Sequence, residues 1–330
     1  MKNVYKLSLA LLACIAAYGQ DTTTNSYTQT NLTSDVAGKA ANTDPNLKNP
    51  WGLSDNSGSP WWVSDQVTGL TTLYDSTGTV VPLVVGILPA SGTGTGSPTG
   101  TAVLNGNFVF VTLDGTIQQW LGGADTVIEV NNSSKGAVYT GCTVITSGGV
   151  SRLFVANAAG GVEAYDSTFA PVTLATGAFT DPTVPAGYAP YGIQTVGSKI
   201  YVTFTQAPGT GNGYVDAFSP AGKLMVRLQH GNWMNEPWGI AQAPASFGAF
   251  SEALLVGNTG SGTIAAFNPT NGHFLGFLKN SSGTPVMNGG LWALAFGLGG
   301  SSGPSTTLYF TAGLDNFKHG LFGSIVPTAP

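Results

Sequence analysis

The sequence predicts an all-β fold, a six-bladed β-propeller of four-stranded antiparallel blades, on three observations. A Pro-Trp-Gly step recurs along the chain, strands rich in β-branched and aromatic residues follow each copy, and 47 glycines supply tight turns between them. The step stands as "PWG" at 50–52, "PTG" at 98–100, "YTG" at 139–141, "PYG" at 190–192, "PWG" at 237–239 and, degenerate, "LWA" at 291–293. The intervals are 48, 41, 51, 47 and 54 residues, long enough for four short strands and their turns.

Each copy opens the same series. The step leads into an innermost strand, where proline suits the first residue because no ladder donor is needed there. Its glycine (Gly52, Gly100, Gly141, Gly192, Gly239, with Ala293 in the last copy) lets neighbouring backbones crowd near the axis. A second strand follows, as in "PWWVSD", "FVFVTLD", "RLFVAN", "KIYVTF", "ALLVGN" and "TLYFTA". The third alternates, as in "LTTLYD", "GVEAYD" and "GTIAAF", and a fourth comes after a turn, as in "VPLVV", "PVTLA", "KLMVRL" and "FLGFLK". The sixth copy ends near Ile325 with no room for a fourth strand. Residues 27–32, "YTQTNL", alternate and have no other partner, so they are expected to pair with 320–325 and close the ring.

The first residues read differently. Lys2 and Lys6, the apolar run Leu7–Ala17 and the small-x-small step Ala17-Tyr18-Gly19 make a secretory signal over 1–19, leaving 20–330 as the propeller domain. "LLAC", ending at Cys14, resembles a lipoprotein box but is followed by apolar Ile15-Ala16-Ala17, so a secreted or periplasmic protein is expected rather than an anchored one. No segment reaches the length of a transmembrane helix. Cys142 is then the single cysteine left, in strand-like "YTGCTVI", and reads as an inert buried thiol. Only 8% of residues are charged and the net charge is −5, which excludes a nucleic-acid partner because no basic stripe exists to meet phosphates. Nothing calls for a second subunit, and a monomer is expected.

"PWGL…PWWVSDQVTGLTTLYDSTG" resembles the NHL repeat, which implies a six-bladed propeller of the gluconolactonase-like kind. The longer stretches "NLTSDVAGKAANTDPNLKNPWGL", "GNGYVDAFSPAGKL", "APASFGAFSEALLVGN" and "HGLFGSI" are similar to a family of secreted bacterial propeller proteins that carries no assigned activity. Asn42 stands where that family often has a histidine, and "TQAPGTGNG" where it tends to have a charged loop.

No catalytic set assembles. His230 and His273 lie in turns, no HExxH occurs, and "GGSSG" at 299–303 lies between strands rather than at a strand-to-helix elbow. Position around the ring supplies a candidate site instead. Loops entering the innermost strands bring Asn49, Trp51, Tyr191, Glu236, Trp238 and Trp292 to one face. Loops between second and third strands bring Asp65, Asp114, Asn157, Asn258, Asp315, Lys318 and His319 to the same face. Against this stand two structural roles: Asp and Asn after a strand bond their own turns, and aromatics can pack between blades. A ligand is expected off-axis, beside Thr99 and Thr140, with Asp114 and Asn157 as its hydrogen-bonding groups. The first function this implies is a non-enzymatic secreted binding protein for a small molecule, glycan or protein. The second, which the gluconolactonase-like resemblance implies, is a metal-dependent lactonase or hydrolase of that type, with Glu236, Asn157, Asn258 and Asp65 around a divalent cation such as calcium. The third is a cell-surface structural or adhesive protein. The lack of a catalytic set leans the reading away from an enzyme.

Overall fold

The computed structural model describes residues 25–206 and 211–328, so the secretory signal read over 1–19 and the Cys14 alternative lie outside the described residues. Six small antiparallel sheets surround one axis, with innermost strands at Pro50–Ser54, Pro98–Leu104, Tyr139–Ser147, Ala189–Val196, Pro237–Gln242 and Leu291–Phe296. These blades, I to VI, begin where the repeated step places them. Among the described residues almost no helix is present.

The recurring step has a physical meaning that strand pattern alone does not show. In every blade the pairing of first and second strands slips at this point: between Pro50 and Leu53, Pro98 and Thr101, Tyr139 and Gly141, Pro190 and Ile193, Pro237 and Ile240, Leu291 and Leu294. The step is therefore a β-bulge, a device that re-aims one side chain and sharpens local twist. The glycine inside it faces the next blade. A β-carbon on Gly192 would overlap the Trp238 carbonyl, and one on Gly239 the Trp292 carbonyl. At Gly141 the nearest atom would be 3.4 Å away, an ordinary contact.

Ring closure follows the expected course. Tyr27–Ser34 runs antiparallel to His319–Pro327, with Tyr27 opposite Pro327 and Ser34 opposite Leu321, and becomes the outer strand of blade VI. The two-residue strand Asn42–Thr43 adds in parallel outside it. Tyr27 fixes the seam: its hydroxyl donates to the Phe247 carbonyl at 2.9 Å and accepts from the Phe250 N–H, while its ring packs on both phenylalanines.

Blade III departs from the four-strand expectation. Its sheet has three strands, Tyr139–Ser147, Val150–Asn157 and Gly161–Tyr165, and "PVTLA" contributes only a one-residue bridge from Pro171 to Tyr165. Pro171 has no N–H to give a ladder, and after Val172 donates to the Ala164 carbonyl the chain leaves the sheet edge.

Among the described residues the core divides into clusters at the blade interfaces, such as Trp62, Val85 and Phe108 between I and II, or Phe154, Ile200 and Phe218 between III and IV. No blade could bury both faces alone, so each face is covered by its neighbour.

Candidate functional site

The bulges of blades I, IV, V and VI turn Trp51, Tyr191, Trp238 and Trp292 toward one another across the axis. Trp51 and Trp292 stack with centroids 3.7 Å apart; Trp238 meets both edge-on at 6.2 and 5.8 Å, and Tyr191 lies 6.2 and 5.9 Å from the same pair. All four are buried. They neither pack between blades nor stand free around an open channel, the two arrangements the sequence suggests. They plug the axis. Two indole N–H groups are bound: Trp292 donates to Asn49 Oδ1 and Trp238 to the Thr140 carbonyl, each at 2.9 Å. Trp51 Nε1 is buried with no hydrogen-bond partner among the described residues.

Above this plug lies a cavity of about 620 Å³ on the face where the innermost strands begin. It is floored by Trp51, Tyr191 and Trp292, walled by Leu113, Val138, Ala158, Ala189 and Pro190, and flanked by Phe317 and Glu236. Much of that wall comes from blades III and IV, so the space sits to one side of the axis.

Backbone strain gathers at this mouth. Asn49 and Glu236, equivalent residues before the prolines of blades I and V, take φ of 47° and 56°, and Gly290 takes 67° at the same place in blade VI. A left-handed conformation at a non-glycine residue costs roughly 1–2 kcal/mol. Asn49 offsets its cost by bonding: besides Trp292, its amide donates to Gln66 Oε1 at 2.8 Å. Glu236, 5% exposed, accepts from the Gly211 N–H at 3.3 Å. The run Asp315, Asn316 and Phe317 has φ of 50°, 55° and 64°, one left-handed turn that holds Phe317 5.5 Å from Trp292 and leaves it exposed.

The structure gives most of the other candidate side chains to the scaffold. Asp114 accepts from the Ala90 N–H and from Thr112, and Asn157 accepts from the N–H groups of Val138 and Ala159 while donating to Glu163. Both side chains are thus engaged by neighbouring strands and loops. Thr99, beside them, bonds the carbonyls of Val111 and Tyr139 and pins blade II to blade III. Asn258 accepts from Asn235 N–H and donates to the Trp233 carbonyl. Asp65 is wholly buried, bonded through one oxygen to Thr72 at 2.7 Å, and burial pushes its carboxyl well above the usual range. Asp315 is exposed on the left-handed turn and Lys318 is exposed just after it. His319 is paired through Nδ1 to Asp35 Oδ2 at 2.7 Å, on the seam between blade VI and the N-terminal strand. His230 stacks on Tyr214 at 4.2 Å, and His273 sits in the turn after Asn268.

A divalent cation does not fit the set Glu236, Asn157, Asn258 and Asp65. The oxygens of the two asparagines are committed to backbone N–H groups, and Asp65 is sealed in the core. Among the described residues no group of three His, Cys, Asp or Glu is placed to hold a metal ion. Cys142 is buried and free, with its thiol pushed up by burial, as its strand setting suggests.

Sequence reasoning missed Phe317, Gln66, Leu113 and Ala158. Only the run "GLDNFKHG" held a signal: an aromatic between Asn and Lys in a turn, beside the Asp315 and His319 that were picked out.

No known protein-family profile matches the chain. It is similar to uncharacterized proteins of Acanthamoeba polyphaga mimivirus. One is 29% identical, with 89% of this chain and 78% of the viral protein covered; a second is 27% identical, with 87% and 82% covered. Among solved structures it is similar to the virginiamycin B lyase of Staphylococcus aureus, at a TM-score of 0.53 and 13% identity over 91% of this chain and 98% of the lyase. A glucose dehydrogenase gives a TM-score of 0.60 at 12% identity over 92% of this chain and 100% of that one. At such identities the likeness shows the six-bladed propeller fold.

Proposed function

We propose that this propeller is a non-enzymatic binding protein that takes a small, largely apolar molecule in the axial cavity. One observation carries this reading: a space of about 620 Å³ with an aromatic floor, apolar walls and a single buried carboxylate. That is the composition of a small-molecule site, in which apolar surface supplies affinity and a few polar groups set orientation. The strain at Glu236 and at Asp315–Phe317 supports it, since left-handed non-glycine residues gather where side chains must be held in place. Lyases and dehydrogenases share the fold, but of the groups assigned to a metal here Asn157 and Asn258 have their oxygens on backbone N–H groups and Asp65 is sealed in the core. The secretory signal read in residues 1–19 would deliver the binder to the periplasm or the medium.

The test uses N-phenyl-1-naphthylamine, an uncharged fluorescent probe that matches the apolar walls. Saturable binding is expected, with quenching of tryptophan emission because Trp51 and Trp292 form the floor. Ala158→Trp fills the cavity from a partly exposed wall position and should abolish binding without lowering thermal stability. Binding that does not saturate, or that survives Ala158→Trp, removes the reading.

A further inference from the structure

We infer that the molecule taken by the axial cavity is an organic cation, an ammonium group carried on a compact apolar body; this rests on the cavity being the ligand site. Among the described residues the lining holds one formally charged side chain, the Glu236 carboxylate, and no lysine, arginine or histidine. Trp51, Tyr191, Trp292 and Phe317 line the same space. Aromatic faces carry negative charge density, and a cation within about 6 Å of a ring centroid gains roughly 0.5–2 kcal/mol, most when desolvated. Rings and carboxylate therefore act in one direction. An anion would meet repulsion, with no basic side chain among the described lining residues to offset it.

The backbone argues that Glu236 is more than a filler. Its position is left-handed in blades I, V and VI, and blade VI meets that demand with Gly290. Blade V keeps a glutamate there against the conformational cost, with Pro237 next in the chain restricting it further. At the cavity this residue sets a negative charge beside Tyr191, whose phenol is pushed up by burial and then by Glu236, so Tyr191 stays neutral there. Burial matters to the energetics as well. At 5% exposure the carboxylate is shielded from bulk water, where an attraction to a bound ammonium is screened far less than at the surface.

The experiment compares acetylcholine with 3,3-dimethylbutyl acetate, its uncharged carbon isostere, by calorimetry on the full chain. The cation is expected to bind at least about ten-fold tighter, and raised salt should weaken the cation alone. Glu236→Gln keeps the shape and removes the charge; it should narrow the difference to about two-fold, with a thermal melt run in parallel to show that the variant is folded. Equal affinities for the isosteres, or a preference that survives Glu236→Gln, overturns the inference. So does failure of acetylcholine to bind where the naphthylamine probe saturates, and in that case the cavity stands as an apolar site. Failure of every probe removes the cavity reading along with it.

Discussion

The two ends of the axis are built from the same six strands, yet they differ in kind. At the mouth, bulged steps bring in tryptophans, left-handed residues and a buried carboxylate. At the opposite end, a funnel of about 460 Å³ is lined by regular strand residues: Leu53, Thr101, Cys142, Ile240, Leu294 and their neighbours. Four of its hydroxyls are paired from blade to blade, Ser54 with Thr101 and Thr143 with Thr195, each at 3.0 Å. One end repeats and the other breaks the repeat. Side chains that obey six-fold repetition serve the ring, whereas departures such as Glu236 in place of Asn49 or Gly290 carry what one blade alone must do. The glycine waist between them keeps the ends apart.

That contrast can be broken most severely at the waist. Gly239→Ala sets a methyl into the Trp292 carbonyl, and a loss of about 3 kcal/mol or more is expected in chemical denaturation, with both ends disturbed. Gly141→Ala, which meets nothing closer than 3.4 Å, should change stability by less than about 0.5 kcal/mol. A large effect at Gly141 would show that the waist is uniformly tight, contrary to the geometry. Next in size, Trp292→Leu removes half of the stacked pair and strands Asn49 Oδ1; roughly 3 kcal/mol should be lost, with probe binding, while Cys142 in the far funnel stays protected from a thiol reagent. Loss of Cys142 protection in that variant would mean the two ends are coupled.

A smaller effect belongs to neither end. Burial, and then Asp181, raise the Asp216 carboxyl from its ordinary 3.8 to about 7. The folded state thus holds a proton that the unfolded chain releases between those values. The stabilisation is complete below about 3.8 and lost as pH rises through about 7. Unfolding free energy should fall on the order of 2 kcal/mol across that window, and Asp216→Asn should flatten the slope. Asp181, held low by the Arg227 pair, acts oppositely at more acid pH, so the Asn variant's profile separates the two. Smallest of all, Phe317→Ala exposes the cavity flank; melting temperature should move by under about 2 °C while probe affinity drops several-fold. Unchanged affinity would take Phe317 out of the site.

Blade starts and ring closure could be read from the sequence because both are set by local rules: a proline at a strand's first residue, a glycine at a close approach, an alternating strand without a partner. The mouth was legible only in part. Trp51, Tyr191, Trp238 and Trp292 were identified as one matched set, but strand pattern gives no sign that a bulge aims them inward rather than between blades. Asp114 and Asn157 show the limit most clearly. Composition marks them as ligand groups, and only the positions of Ala90, Val138 and Glu163, brought in by other loops, reveal that their hydrogen bonds are spent. The missing fourth strand of blade III turned on Pro171, where the alternation of "PVTLA" outweighed a residue that cannot donate to a ladder.

The seam between Tyr27–Ser34 and His319–Pro327 also governs when this protein can exist as a ring. The last blade combines one strand that precedes the first blade in sequence with others that follow the fifth, so it cannot be completed until both have been made. Contacts of such sequence separation slow folding, and they leave sheet edges open until the final strands are available. Joining the two ends by a linker and cutting between blades II and III should give a permuted chain with the same ring but earlier closure, and the change would be read in refolding rate rather than in the finished structure.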